Sequence, residues 1–511
     1  MCDKPLGHVQ TGRPCTDFTY DSAIFPEYPE SSAEIGEDGM IEIQYGTGIK
    51  RVRLTEAAKE LIPDIPVVSH EIGQYETYPD FDEIKKYTGV LQARNFEIFR
   101  SRLEEKGLLP MAKDYFKSSG ALAAACYKDE LETALRTKDM AGFQILDIQD
   151  FSGQGTALVG MLDAFMENKG ILSAADFKSF CSDAVIQAEF SSYVLQNGST
   201  LEGMLSLTWY RKTLPETVCV ELLLRDQKND VVISRQLLEH PEGVRENGYT
   251  KLCPFTAAVP ASENPEHYML EIRLADTDVS NRYELWSYPA VRSAEGLHNV
   301  TFSGGSPSDL HNAEVPSDTI LGLHNATTSL SDAIRHVQAG HPTVLCLSRE
   351  QNPNSITGTY CTDFWCYPMF RSISEGMNKE LPVGTMGLLI RKEHPALAHF
   401  PTNSYSTPQW WDIVMNSAST ILDETDIVPI VQTIDNFERN HRLGLIYEIQ
   451  VTGADVPLII CTSPLPSLVV DGHAEAACLL QSLCRYADTW KKDASRPVYP
   501  MSEETLRALF P

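Results

Sequence analysis

The sequence predicts a chain in which an α/β part is followed by an all-β part and then by a second α/β part. Three observations lead to this prediction. Apolar runs of strand length alternate with helical patterns in residues 1–175, strand-like runs separated by turn residues occupy 180–290, and helix–strand alternation resumes over 329–495. The loop-rich segment 291–328 is expected to link the second and third parts.

In the first part, apolar strands end in polar residues and are followed by helical patterns. The run IPVVSHE (65–71) predicts a short buried strand. Asp80 can cap a following helix, with Glu83 three residues on as in a capping box. A second helix, a strand and a glycine-stopped third helix are expected further along, at 110–135, 142–151 and 156–170. This order is typical of an α/β sheet or barrel.

The second and third parts differ in their apolar pattern. LEGMLSLTWY, VCVELLLRD and YMLEIRLAD are strand-like runs between turns, which favours an immunoglobulin-like β-sandwich. In the third part, the helical patterns SDAIRHVQAG and EAACLLQSLCRYADTW flank the strands PTVLCLS, LGLIYEIQV and PLIICTS. This alternation predicts a small open parallel sheet, as in a flavodoxin- or amidotransferase-like α/β module.

Composition excludes several classes of function. The net charge of −28 would repel nucleic acid and anionic membrane surfaces, and no run approaches 18 apolar residues. The start of the chain has no apolar signal-peptide core, and the 12 cysteines are scattered, mostly in apolar contexts such as those of Cys126 and Cys346. We therefore expect a soluble, reducing, cytoplasmic protein.

Three known functional motifs are only partly matched by the sequence, and each lacks a residue that its chemistry requires. Gly153 and Gly155 follow a strand, but Leu158 stands where a dinucleotide fingerprint needs its third glycine. A zinc protease needs His-Glu-x-x-His, and Gln74 occupies the second histidine position. Cys461, like Cys346, ends an apolar strand without the glycine-framed turn of a nucleophile elbow, which argues against amidotransferase activity. The sequence therefore predicts no cofactor and no metal.

Carboxylates stand at the ends of two predicted strands. Glu71 ends the first, and Asp147 and Asp150 end the next. In a (β/α) barrel the catalytic groups come from strand ends, and glycoside hydrolysis needs two carboxylates. The aromatic residues Tyr75 and Tyr78 follow Glu71 and could stack on a sugar. The alternative for Glu71 is a helix-capping or ion-paired carboxylate.

Several segments resemble the β-galactosidase/β-glucuronidase family, glycoside hydrolase family 2. PVVSHEIGQY (66–75) is similar to its strand-seven motif and GFQILDIQDF (142–151) to its strand eight. Similar segments continue through the chain, at 70–100, 143–165, 363–374, 394–414 and 434–448. The resemblance implies that residues 1–175 are the C-terminal part of a (β/α)8 barrel and that Glu71 is the nucleophile.

The resemblance also implies the surroundings of that nucleophile. His8 falls where strand six should end and would line the sugar subsite, while His70, Gln74 and Tyr75 would orient the carboxylate or bind ring hydroxyls. Asp147 and Asp150 complete the expected substrate-binding set. The implied function is retaining, exo-acting hydrolysis of a β-linked sugar such as a β-galactoside or β-glucuronide.

The chain departs from the family upstream of Glu71. The family places its acid/base in an Asn-Glu pair at the end of strand four, and no Asn-Glu precedes Glu71. We therefore expect a C-terminal fragment lacking the acid/base half, which would form a homo-oligomer or need a complementing N-terminal polypeptide. The alternative is a non-catalytic carbohydrate-binding or scaffold protein derived from that family.

A tryptophan pair in the third part allows two interpretations. Trp410 and Trp411, followed by Asp412, could stack on a sugar and hydrogen-bond to it. Paired tryptophans also bury a large apolar area, and we favour a role in docking the third part onto the first.

Overall fold

The computed structural model describes residues 67–136, 140–151, 155–215, 217–290, 325–360, 384–492 and 497–511, together with strands at 8–10, 40–45 and 48–53. The segment 291–324 and the motif at 363–374 lie outside the described residues. The chain is mixed α/β with several sheets. No helix in the described part is long and apolar enough to cross a membrane.

The first part contains a parallel sheet of three strands. Its elements are β1 (His8–Gln10), the hairpin β2 (Met40–Tyr45) and β3 (Gly48–Arg53), β4 (Val67–Ile72), helices α1 (Arg94–Glu105) and α2 (Ala112–Arg136), and β5 (Met140–Ile145). The sheet order is β1-β4-β5, and both pairings are parallel. The strand predicted at 65–71 and the helix predicted at 110–135 are therefore present. Among the described residues these strands form an open sheet and no closed barrel.

Two local predictions in this part need correction. Asp80 does cap, because its side chain accepts from the Asp82 amide, but the element is a 3-10 helix, Phe81–Lys86. The segment 156–170 is irregular instead of helical. Its backbone turns around the carboxylate of Asp163, whose Oδ1 accepts from the amides of Phe165 and Glu167. Local side-chain acceptors of this kind compete with helical hydrogen bonding.

The second part is a β-sandwich, as predicted. A short helix, α3 (Ala174–Phe180), precedes it. Its strands are β6 (Ala184–Phe190), β7 (Val194–Gln196), β8 (Thr200–Trp209), β9 (Val218–Asp226), β10 (Val231–His240), β11 (Gly248–Ala258), β12 (Glu266–Leu274) and β13 (Ser280–Tyr288). One sheet has the order β10-β9-β12-β13-β7 and the other β11-β8-β6. Side chains from both sheets, such as Leu205 and Leu270, share one apolar core.

The third part is built on a mixed sheet of nine strands. Its elements are β14 (Ala326–Thr327), α4 (Leu330–Gln338), β15 (Thr343–Cys346), β16 (Ser355–Thr357), β17 (Thr385–Ile390), α5 (Trp411–Met415), β18 (Ala418–Ile421), β19 (Val431–Asp435), β20 (Arg442–Val451), β21 (Leu458–Cys461), α6 (Leu465–Val470), α7 (Ala474–Thr489), β22 (Pro500–Met501) and α8 (Glu503–Leu509).

This sheet differs from the predicted flavodoxin-like one. Among the described strands, β14, β15 and β21 form a parallel group and β22 pairs parallel with β20, whereas β17, β19, β20 and β21 pair antiparallel in that order. The antiparallel pairing follows from the short connections between these strands. A parallel neighbour needs a long crossover, whereas β19 and β20 are joined by residues 436–441 and β20 and β21 by 452–457, which are too short for one.

Helix α2 contacts all three parts. On the sandwich side, Glu132 accepts hydrogen bonds from the Asn281 amide (2.7 Å) and the Tyr283 hydroxyl (3.1 Å). On the side of the third part, Leu122 lies against Gly387 of β17, where an added Cβ would come within 2.7 Å of the leucine side chain. One apolar cluster accordingly includes buried residues from every part.

Candidate functional site

The predicted nucleophile lies near the end of the central strand of the parallel sheet. Glu71 is the penultimate residue of β4, and its neighbour His70 is in register with Gln10 of β1. Because β1, β4 and β5 run parallel, their C-terminal ends lie at the same edge of the sheet. The side chains of His8, His70 and Glu71 lie outside the described part of the chain.

The turn after β4 is held by helix α2. The Gly73 amide donates to Glu130 Oε2 at 2.9 Å, and Glu130 is fully buried. Gly73 has φ +82°, and a Cβ there would lie 2.3 Å from the ring of Tyr127. A glycine is therefore required both for the left-handed backbone and for the approach of the tyrosine.

The residues predicted to surround Glu71 differ in their exposure to solvent. Tyr75 is only 4% exposed and meets Tyr127 edge to face, with ring centroids 5.6 Å apart. Gln74 is half-buried. The structure thus brings Gln74 to the protein surface beyond the strand end, whereas Tyr75 and Tyr78 contribute to the packing of the first part.

The two aspartates after β5 have different environments. Asp147 is half-buried, and its Oδ1 accepts from the Ile148 amide at 2.7 Å. Asp150 is buried, and its Oδ1 accepts from Lys169 Nζ at 2.7 Å and from the Gly160 amide at 2.9 Å. Burial raises the pKa of Asp150, and the charge of Lys169 opposes that rise. Asp150 therefore has a structural partner, and Asp147 is the more accessible of the two.

A third carboxylate, which the sequence indicated only as a capping residue, lies close to Asp150. Glu83 is 4% exposed, and burial, followed by the negative charge of Asp150, raises its pKa to about 8. Nearby, Lys86 forms an ion pair with Asp163, whose pKa is lowered because hydrogen bonds from Lys86 and two backbone amides outweigh its burial. Glu83 is thus mostly protonated at neutral pH.

A second cluster of polar side chains lies in the third part. Asp412 is in α5, His473 is the N-cap residue of α7, and Glu475 is in the first turn of α7. His473 Nδ1 lies 3.3 Å from Asp412 Oδ2 and 3.2 Å from Glu475 Oε1. These two hydrogen-bonding carboxylates raise the pKa of His473 to about 10. The cluster, which the sequence did not reveal, joins Asp412 to residues far along the chain.

The cluster opens on a cavity of about 490 Å³ between the second and third parts. Residues 191–196 of the sandwich line one side, and Trp411 and the cluster line the other. Trp410 and Trp411 are 0% and 4% exposed and belong to the core cluster shared by the three parts. Their packing agrees with the docking role favoured from the sequence, and their burial leaves little ring surface for stacking on a sugar.

Two parts of the chain match models of families with no assigned function. Residues 199–289 match "Domain of unknown function (DUF8488)", and residues 325–511 match "Domain of unknown function (DUF8487)". No curated protein matches the chain. The matched ranges fall on the sandwich and on the nine-stranded sheet, respectively.

Solved structures give only distant similarities. The sporulation control protein Spo0M from Bacillus subtilis matches with 12% identity and a TM-score of 0.18, covering 23% of this chain and 54% of that one. The β-glucuronidase of Parabacteroides merdae matches with 14% identity and a TM-score of 0.15, covering 21% of this chain and 14% of that one. A glycosyl hydrolase family 2 member from Bacteroides cellulosilyticus DSM 14838 has the same identity and TM-score, over 20% and 14%. The chain thus spans about half of Spo0M and a seventh of the glycosidases, and TM-scores this low carry no argument about function.

Proposed function

We propose that this chain carries the nucleophile of a retaining, exo-acting glycoside hydrolase that acts on a β-linked sugar, and that Glu71 is that nucleophile. Retention requires a second carboxylate as acid/base. The resemblance assigns no acid/base to this chain, so the proposal assigns that group to a complementing polypeptide. The substrate class is a β-galactoside or β-glucuronide.

The position of Glu71 is the observation that carries the proposal. It stands near the C-terminal end of the central strand of three parallel strands, with α1 and α2 in the β4–β5 connection. Substrates of such α/β arrangements bind at the C-terminal edge, where the strand ends converge. Asp147 follows the adjacent strand at that edge and is half-buried, which suits it to bind a sugar hydroxyl.

The packing behind the strand end also supports the proposal. A nucleophile must be held in line with the bond that breaks, and a rigid backbone supplies that positioning. Directly after Glu71 and Ile72, the Gly73 amide is bound by buried Glu130 and its Cα lies against the Tyr127 ring. Because both contacts come from the long helix α2, the strand end is fixed by a rigid element.

The test uses an inhibitor that does not need the acid/base. A 2-deoxy-2-fluoro-β-glycosyl fluoride loses fluoride without protonation, so the nucleophile alone can form the glycosyl-enzyme, which the 2-fluoro group then stabilises. We would incubate the folded protein with the galactosyl, glucosyl and glucuronyl reagents and locate the adduct by peptide mass spectrometry. The expected result is one sugar on Glu71, with no adduct on Glu71→Gln and an unchanged adduct on Asp82→Asn, which alters a carboxylate at an exposed ion pair.

The result also decides between the proposal and its alternative. An adduct on Asp147 would assign the nucleophile to the neighbouring strand. If none of the sugars modifies a folded protein, the chain does not carry the nucleophile, and the non-catalytic carbohydrate-binding or scaffold function is favoured instead.

A further inference from the structure

We propose that Asp412, His473 and Glu475 form a binding site for a divalent transition-metal ion such as Zn²⁺. The site is separate from the strand edge at Glu71 and does not depend on the proposed glycosidase function. The three side chains offer one imidazole nitrogen and two carboxylate oxygens, all within 4.8 Å of one another. Zinc is bound in proteins by this combination of donors.

The distances between the donor atoms suit a shared ion. His473 Nδ1 is 3.3 Å from Asp412 Oδ2 and 3.2 Å from Glu475 Oε1. Ligands at about 2.0–2.1 Å from a tetrahedral ion stand about 3.3 Å from each other. The two histidine–carboxylate pairs therefore already have nearly the separation of neighbouring ligands, and the two carboxylates lie within 4.8 Å of each other. Loss of the Nδ1 proton on metal binding and small side-chain movements would complete the coordination.

The backbone that carries the donors is firmly held. The Ile413 carbonyl, next to Asp412, accepts from the buried Ser463 hydroxyl at 2.9 Å. The His473 amide donates to the Leu468 carbonyl at 3.0 Å, which ties the start of α7 to α6. Two anchored elements thus present the ligands, as a pre-organised site requires.

The surroundings favour a cation with an open coordination position. None of the described residues lining the adjacent cavity is Lys or Arg. Glu475 is 4% exposed, and its carboxylate contacts His473. Three protein ligands leave a tetrahedral ion one position for water or a bound ligand, and the cavity of about 490 Å³ provides the space for it.

The experiment measures metal binding directly. Protein stripped with a chelator would be titrated with Zn²⁺, Mn²⁺ and Ca²⁺ by isothermal titration calorimetry. We expect one Zn²⁺ per chain, weaker Mn²⁺ binding and little Ca²⁺ binding, because calcium prefers six to eight oxygen ligands. Asp412→Asn, His473→Gln and Glu475→Gln should each weaken Zn²⁺ binding by at least about tenfold, since each removes a direct ligand and loss of an outer-shell partner alone costs 10–100-fold.

A matched control comes from the same part of the chain. His441 Nδ1 lies 2.8 Å from Asp423 Oδ2, and its side chain is 26% exposed against 30% for His473. His441→Gln therefore removes a similar histidine–carboxylate pair and should leave the Zn²⁺ affinity unchanged. Zn²⁺ should also raise the melting temperature of the wild type and of His441→Gln, but not that of Asp412→Asn.

Two outcomes would overturn the proposal. One is a folded wild-type protein that binds no Zn²⁺, which would leave the three residues as an internal ion triad. The other is Zn²⁺ binding of equal strength in all three ligand variants, which would place the ion on other histidines. Circular dichroism of the metal-free wild type and of each variant would first show that the protein is folded, so that a loss of Zn²⁺ binding is not caused by unfolding.

Discussion

Lys169 and Asp150 form a fully internal ion pair beneath the strand-end edge. The ammonium nitrogen lies 2.7 Å from Oδ1, and the two side chains are 2% and 4% exposed. The ammonium group also donates to the Thr77 hydroxyl and the Gly160 carbonyl, both at 3.0 Å. The pair therefore connects the turn after β4, the loop after β5 and the irregular segment that follows.

Removing the ammonium group should destabilise the protein strongly. Lys169→Met leaves the buried Asp150 carboxyl without its partner, and we expect the free energy of unfolding to fall by about 3–5 kcal/mol. Urea unfolding followed by fluorescence would measure the change. Lys85→Met serves as the control, because the Lys85–Asp82 pair is 80% and 44% exposed and should contribute less than about 1 kcal/mol. Equal effects of the two substitutions would show that the internal pair has no special role.

Gly73 should tolerate no side chain. Gly73→Ala places a methyl group against the Tyr127 ring and forces a non-glycine residue to φ +82°. Gly107→Ala is the matched control, since Gly107 has φ +68° but no atom within 4 Å of the added Cβ. We expect a loss of about 1 kcal/mol of unfolding free energy for the control, from backbone strain alone, and at least about twice that for Gly73→Ala. Similar losses would mean that Tyr127 moves aside freely.

Glu83 should make stability fall as the pH rises. Its pKa is raised to about 8 in the folded protein from an ordinary value near 4.5, so between these values the folded state holds a proton that the unfolded state has released. The contribution is complete below pH 4.5 and is lost as the pH rises through 8. Glu83→Gln should remove this dependence, and the difference between wild type and variant should change by roughly 2 kcal/mol between pH 5 and pH 7. Parallel curves for the two proteins would exclude a raised pKa.

Tyr78 should contribute to the attachment of the third part to the first. Its hydroxyl donates to Asn440 Oδ1 at 2.7 Å, and both residues are buried. Tyr78→Phe leaves that acceptor unsatisfied, and we expect thermal and urea unfolding to report a loss of about 1–3 kcal/mol. Tyr87→Phe is a suitable control, because the Tyr87 hydroxyl has no hydrogen bond to the described residues and its ring keeps its contact with Phe165. A neutral Tyr78→Phe would show that water replaces the lost donor.

The sequence predicted elements best where local pattern and tertiary packing agree. Helix α2 was expected at 110–135 and spans Ala112–Arg136, and strand β8 was expected at 201–210 and spans Thr200–Trp209. The helix predicted at 156–170 was wrong because Asp163 accepts from nearby backbone amides and because two other residues of the segment contact distant groups. Lys169 is drawn to Asp150, and Gly160 lies so close to the backbone of Gln149 that a Cβ would come within 2.2 Å.

The candidate sites, like the secondary-structure elements, could be predicted from the sequence only where their residues are close together in the chain. Glu71 could be singled out because a carboxylate that closes a short apolar run is a local signal. Asp412 and His473 are far apart in sequence, and only the packing of α5 against the start of α7 brings them within 3.3 Å. The antiparallel strands of the third part were missed for a similar reason, since apolar runs such as those of β20 and β21 carry no mark of strand direction.

Helix α2 has a consequence for synthesis on the ribosome. Two residues that contact this helix, Gly387 in β17 and Asn281 in β13, leave the ribosome long after its last residue, Arg136. At about 5–20 residues per second, the helix waits roughly 10–50 seconds for β17 to be made. Throughout that interval its apolar surface lacks the cover it has in the folded protein. Nascent chains of this protein should therefore engage chaperones between the completion of α2 and that of β17.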